Sequence, residues 1–340
     1  MVWTMNSRQD SSHSPVFLAI NDGRVVRAAC DEHGSWAVET VLAGLAAVTL
    51  AADPGHPDTV YAGTQGNGIY RSDDRGRSWA QLGLAGQIVK SIAVSPHDPR
   101  VVYAGVKPAA VYKTTDGGRS WAELDGFRRV PHRWWWFSPA EAPFRAYVND
   151  LAISPDAPDV VLAGIEFGAV VRSDDGGRTW SAHRPGAIRD CHALKFHARD
   201  GRWLYEAGGT GGGAALSRDG GRTWSQPRAG LARHYGVVCA ADPQRPEVWY
   251  VALAPGPGQA YGRDVESYLY RASAGADWQP IGWEPHPMSQ MPRALVTVAE
   301  SPGHLYVGTT YGDVWHTADY GDSWRRLPFD LGGGLSMLIV

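Results

Sequence analysis

Short apolar runs recur along the chain, each bounded by glycine, proline or aspartate, the pattern of many strands joined by tight turns. One stretch reads "VNDLAIS", "DVVLAG", "AVVRSD" and "RTWSAH", four segments of strand length that predict one four-stranded unit. The strand, proline-containing turn, strand succession returns in "AADPGHPDTVYAG", "VSPHDPRVVYAG", "ISPDAPDVVLAG", "AADPQRPEVWYVA" and "AESPGHLYVG". A polar turn motif recurs along with them: "SDDRGRSW" (72–79), "TTDGGRSW" (114–121), "SDDGGRTW" (173–180), "SRDGGRTW" (217–224) and "TADYGDSW" (317–324). Two decayed copies bring the terminal tryptophans to positions 36, 79, 121, 180, 224, 278 and 324, so seven units are expected. The chain ends on one apolar strand, "GLSMLIV" (334–340), and begins with three, "VFLAIN", "RVVRAA" and "SWAVET". Three plus one complete a seventh blade and remove the open edge. The pattern therefore predicts an all-β, seven-bladed propeller with four-stranded blades, closed by its C-terminal strand pairing with the N-terminal strands. Residues 1–14 are expected to be a disordered tail and 15–340 a single domain.

The turn motif resembles the Asp-box, or BNR repeat, of sialidase-like and related β-propellers, including the photosystem assembly factors that carry it. The motif's aspartate (Asp74, Asp116, Asp175, Asp219, Asp319) can accept hydrogen bonds from turn amides, its glycine takes a conformation closed to other residues, and its tryptophan packs between sheets. These roles are structural, so the boxes are not the place to look for catalysis.

Composition excludes several classes. The 41 glycines, 23 prolines and 15 tryptophans suit a turn-rich all-β protein, while a net charge of −3 argues against a nucleic-acid partner. Cys30, Cys191 and Cys239 are too few and too far apart for a disulfide framework or a structural zinc site. No segment has the length and apolarity of a membrane span or a secretory leader, which makes the cytoplasm the expected location.

Strand parity puts the Asp-boxes on one face and the loops between blades on the other. The intervals between box tryptophans are 42 to 46 residues except for two, of 59 and 54. The first holds an insertion (122–147) containing "RRVPHRWWWFSPAEAPFR", the second "APGPGQAYGRDVES" (254–267). Both map to the face opposite the boxes, where loop variation marks function. Trp134, Trp135 and Trp136 are expected to form a lid or wall over the mouth of the propeller, with at least one ring folded back to seal a blade junction.

Polar residues replace the apolar consensus at this pole. Gln65, Lys107, Glu166 and Tyr311 occupy equivalent turns, and Asn149, Asp190, His192, His234, Tyr235 and Arg293 stand at strand starts. Glu166 with Asp190, His192 or His234 can supply an acid and a base, or the His and carboxylate groups can hold a divalent ion. Arg133 and Arg145 flank the tryptophans, and guanidinium forks beside aromatic rings favour an anionic or sugar-like ligand. Sialidases of this fold use an Arg-Ile-Pro segment that this chain lacks, and larger Asp-box glycosidases place paired acids across two propellers. The resemblance thus implies a fold without carrying over a reaction. The expected function is binding of a small polar, anionic or carbohydrate-like ligand, with hydrolase-like or lyase-type turnover. The alternative is a non-catalytic platform for a protein partner, anchored on the tryptophans.

Overall fold

The computed structural model describes residues 15–262, 264–274, 276–333 and 336–340; the expected N-terminal tail (1–14) lies outside them. Seven antiparallel sheets follow one another along the chain. The first is the closing blade, in which Met337–Ile339 is innermost, followed by Val16–Asn21, Arg24–Cys30 and Trp36–Leu42. Phe17 faces Ile339 and Ala19 faces Met337, and Val16 and Val340 exchange both backbone hydrogen bonds at 2.9 Å. The termini therefore close the ring as the strand count requires.

The Asp-boxes hold the outer turns. In the second blade Asp74 accepts the Ser72 hydroxyl at 2.7 Å, the Ser78 hydroxyl at 2.6 Å and the Ser78 amide at 2.9 Å, and the Trp79 indole donates to Gly76 O at 3.1 Å. Asp175 and Asp319 repeat this set with Ser173, Thr179, Thr317 and Ser323. The box glycine is fixed twice over. Gly177 has φ of +94°, and a Cβ there would lie 2.4 Å from Leu124 of the neighbouring blade. The core consists of apolar clusters between adjacent sheets, such as Tyr103, Phe127, Val148, Val161 and Trp180.

Two blades depart from the expected four strands. In the fourth (Val148–Ile153, Val161–Ile165, Val170–Ser173) the segment "RTWSAH" is not a regular strand. It makes backbone bonds from Ser181 to Arg172 and from Arg184 to Val170, while the amides of Val170 and Arg172 are taken by His183 Nδ1 and Ser181 Oγ. Side chains thus replace the ladder's carbonyls. In the fifth (Cys191–His197, Asp200–Gly208, Gly213–Ser217) the outer edge shrinks to one bridge, Leu216 with Ser225, before Pro227.

The insertion at 122–147 begins with the outermost strand of the third blade, Ala122–Glu123, then forms a short helix, Asp125–Arg128, and a 3-10 turn, Arg133–Trp135. The insertion at 254–267 contains the helix Pro257–Tyr261. Among the described residues no helix is long and apolar enough to cross a membrane.

Candidate functional site

Six innermost strands share one irregularity. Each carries a β-bulge near its start, which leaves Val48, Lys90, Asn149, His192, Val237 and Arg293 as the extra residue in successive blades. A bulge turns its extra side chain out of the pleat. All six line one central cavity of about 1340 Å³. The repeat thus builds a ring of inward-directed positions, and the residue type at each decides what the ring can do.

In blades three to five these positions are polar. His192 Nδ1 lies 2.6 Å from Gly236 O, and a carbonyl only accepts, so Nδ1 carries a proton and Nε2 faces inward. There it lies 3.6 Å from Glu166 Oε2 and 3.5 Å from Asp190 Oδ1. Both carboxyls are buried, and Asp190 Oδ1 has no hydrogen-bond partner. Asn149 Nδ2 donates to Glu166 Oε2 at 3.3 Å, and Thr210 Oγ1 donates to Asp190 Oδ2 at 2.9 Å. Gly209 makes the space: a Cβ there would lie 2.1 Å from Asp190 Oδ2.

Burial pushes the Glu166 carboxyl up to about 7, with the Asp190 charge acting in the same direction and His192 against it. Burial opposes the charge of His192, yet Asp190 and Glu166 together raise its pKa above the usual imidazole range. Three groups compete here for positive charge. Their ligand atoms all lie within 4.8 Å of one another, so they can share protons or hold a metal ion.

Across the cavity, Tyr235 packs its ring 5.1 Å from His192, and the helix at 257–261 brings Tyr261 edge-on to Tyr235. The Arg293 guanidinium lies 4.3 Å from the centre of the Tyr261 ring, and its Nε has no hydrogen-bond partner. Lys90 pairs with Glu141 at 2.6 Å, and Lys90 and Lys107 both stand over the Tyr147 ring.

The sequence-predicted residues divide accordingly. Glu166, Asp190, His192, Asn149 and Tyr235 come together, and Arg293 joins them through Tyr261. His234 lines the cavity but is exposed. Lys107 is buried and held by Glu141 at 3.1 Å. Gln65, Arg145 and Tyr311 are exposed and do not line the cavity. The Gln65 and Glu166 turns make the same backbone bond, Gln65 N–H to Ala46 O at 2.9 Å and Glu166 N–H to Tyr147 O at 3.1 Å, yet only the Glu166 side chain lines the cavity.

The tryptophans correct the expected lid. Phe127 and Val130 anchor the insertion between the third and fourth blades, and Trp136 packs 5.8 Å from Phe127. Trp134 and Trp135 stack on each other at 4.4 Å and are 75% and 67% exposed. Trp135 and Trp136 line another cleft, of about 490 Å³, with Phe167, His183 and Arg189, and the parts of the insertion that reach the central cavity are 139–141 and Tyr147. Arg133 is a structural residue: its guanidinium donates to Ala109 O and covers the Phe127 and Trp136 rings.

Sequence reasoning missed Lys90, Tyr147, Thr210 and Tyr261. Lys90 was within reach, because it occupies the same register position as Asn149 and His192. The glycine run at 208–213 was the signal for the thin turn that carries Gly209 and Thr210.

The BNR/Asp-box repeat family model matches residues 171–182. No curated protein matches the chain by sequence. Among solved structures it is similar to the GH74 xyloglucanase from Xanthomonas campestris, at 20% identity and a TM-score of 0.64, over 84% of this chain and 45% of that one. It is also similar to YCF48 from Cyanidioschyzon merolae, at 13% identity and a TM-score of 0.60, over 86% and 89%. YCF48 bound to a D1 peptide matches at 14% identity and a TM-score of 0.61, over 92% and 96%. The chain spans less than half the length of the xyloglucanase and about nine-tenths of YCF48. At these identities the likeness concerns the fold. The chain is a seven-bladed β-propeller built on BNR/Asp-box repeats.

Proposed function

We propose that this propeller binds a small anionic or sugar-like ligand in the mouth of its central cavity and acts on it, by hydrolysis or elimination, through Glu166, Asp190 and His192. The observation that carries this reading is the burial of two carboxyls around one imidazole nitrogen at the wall of a cavity of about 1340 Å³. Such a cluster is costly in a fold that could fill the same positions with apolar residues, as it does at Val48 and Val237. Arg293, with an unpartnered Nε, supplies the contact for an anionic group, and Tyr235 and Tyr261 supply apolar faces.

The xyloglucanase neighbour is a GH74 enzyme, which supports a carbohydrate-like ligand in this fold. One oxygen of Glu166 and one of Asp190 lie within 4.8 Å of each other, close enough for both to act on one atom of a bound ligand.

Thermal unfolding against acidic and neutral sugars and small carboxylates tests the reading. A ligand at about 100 times its Kd adds roughly 2.7 kcal/mol. The shift should be lost in Arg293→Met. Silence across the panel, or a shift that Arg293→Met and Tyr261→Ala both leave intact, counts against it.

A second reading rests on Trp134, Trp135, Phe137 and Phe144, exposed together on the insertion. A patch of this kind suits a protein or peptide partner, and YCF48 is recorded with a peptide bound. In that case pull-down partners vanish when Trp134 and Trp135 become alanine.

A further inference from the structure

We propose that Glu166, Asp190 and His192 form a binding site for one divalent first-row transition ion, open toward the central cavity. This deepens the reading above and rests on the same site.

The distances are the first argument. A charge-assisted hydrogen bond between imidazolium and carboxylate closes to about 2.7–2.9 Å, whereas Nε2 stands 3.5 and 3.6 Å from the two carboxylate oxygens. Ligands about 2.0–2.2 Å from a tetrahedral cation are separated by about 3.3–3.6 Å. The two carboxylate oxygens stand from Nε2 at the separation of ligands around an ion, and all three atoms lie within 4.8 Å of one another.

The ligand orientation is the second. Because His192 Nδ1 donates to Gly236 O, Nε2 presents its lone pair when the ring is neutral. A backbone carbonyl on the far nitrogen is the usual support of a metal-binding histidine. Each carboxylate has a support of its own, Asn149 on Glu166 and Thr210 on Asp190. Asp190 is only 2% exposed, and its Oδ1, the atom nearest Nε2, has no hydrogen-bond partner. A lone pair and an unsatisfied carboxylate oxygen turned toward one point suit a cation there.

The donor set limits which cation. One imidazole and two carboxylates suit Zn²⁺, Mn²⁺ or Fe²⁺, while Ca²⁺ takes six to eight oxygens. Cys191 does not contribute, since its thiol lies 3.9 Å from Ala193 O and is buried beside Glu206. Three protein ligands leave at least one position for water or substrate, the arrangement of a catalytic ion. Arg293 and Tyr261 line the same cavity.

The full-length chain, stripped with EDTA, would be titrated with Co²⁺ while the visible absorption of the ion is followed, then with Zn²⁺ and Mn²⁺ by calorimetry. One equivalent should bind with the intense bands of a four-coordinate site, and Zn²⁺ should displace it. Asp190→Asn, which keeps shape, and His192→Gln should each bind at least about tenfold more weakly, the loss that even an outer-shell change produces. His304→Ala removes one partner of the His304–His316 contact (3.1 Å) and should leave uptake unchanged. Absence of saturable uptake of all three ions, or equal uptake by a folded Asp190→Asn chain, overturns the proposal. Ligand-dependent stabilisation that persists in a chain taking up no ion would overturn the metal site and keep the ligand reading. Uptake of one ion without any ligand response would do the reverse.

Discussion

Glu206 Oε2 accepts the backbone N–H of Ile188 at 2.9 Å, while its carboxyl is buried in the fifth blade beside the Cys191 thiol. Burial pushes this carboxyl up to about 8, so the folded chain holds a proton that the unfolded chain releases near 4.3. A group bound to more protons in the native state stabilises fully below its unfolded pKa and loses that contribution as pH rises toward the folded value. Stability should therefore fall between about pH 5 and 8. Glu206→Gln keeps an acceptor for Ile188 and should flatten this slope and raise the melting temperature at pH 8. Denaturant unfolding at both pH values checks it, and parallel slopes for the two chains would refute it.

The Asp-boxes oppose that trend at the acid end. The Ser323 and Thr317 hydroxyls and the Ser323 amide hold Asp319 down at about 2, and Asp74 and Asp175 are lowered as far by equivalent bonds despite burial acting against them. A depressed carboxylate stabilises above its unfolded pKa and ceases to do so as pH falls through the folded one, here between about 4 and 2. Asp319→Ala should lower the melting temperature by a few degrees at pH 7 and by less at pH 2. A uniform offset at both would mean that the charge of the box is irrelevant.

How much of this was legible follows from what repeats. Five boxes and two decayed copies set the blade count, and the single apolar strand at 334–340 beside three N-terminal ones set the closure, because repeated turn chemistry leaves little choice of architecture. The outer strand of blade four was not legible, since His183 and Ser181 cap the amides of Val170 and Arg172 with side chains, and that of blade five shrinks to one bridge before Pro227. At the site, Asn149, His192 and Arg293 could be named because they interrupt an apolar consensus at strand starts. What made them converge was the bulge, a feature of pairing register that one strand's sequence does not display. Tyr261 could not be placed, because the path of its insertion obeys no period.

Within the triplet "WWW" the three rings should behave differently. Trp136 packs on Phe127 and seals the insertion against the fourth blade, so Trp136→Ala should cost roughly 2 kcal/mol, about half the price of a fully buried ring. Trp134→Ala and Trp135→Ala should each stay within about 0.5 kcal/mol of wild type. Urea unfolding of the three variants decides; equal losses would mean that the stacked outer pair is also part of the core.

Gly209 tests the site without touching a chemical group. Its amide bonds to Asp190 O at 2.9 Å, and a Cβ would lie 2.1 Å from Asp190 Oδ2 and 2.8 Å from the Tyr235 ring. Gly209→Ala must therefore displace the carboxylate, the ring or the turn. The Asp190 side chain has one hydroxyl donor, Thr210 at 2.9 Å, and sits beside a cavity, so it should yield before the packed strands do. A shift of about 1 Å at a reacting group costs about 100-fold in rate. Turnover or ligand-induced stabilisation should then collapse while the melting temperature of the free chain changes little. The opposite result, a large loss of stability with ligand response intact, would mean that the glycine serves the fold and that Asp190 lies outside the working site.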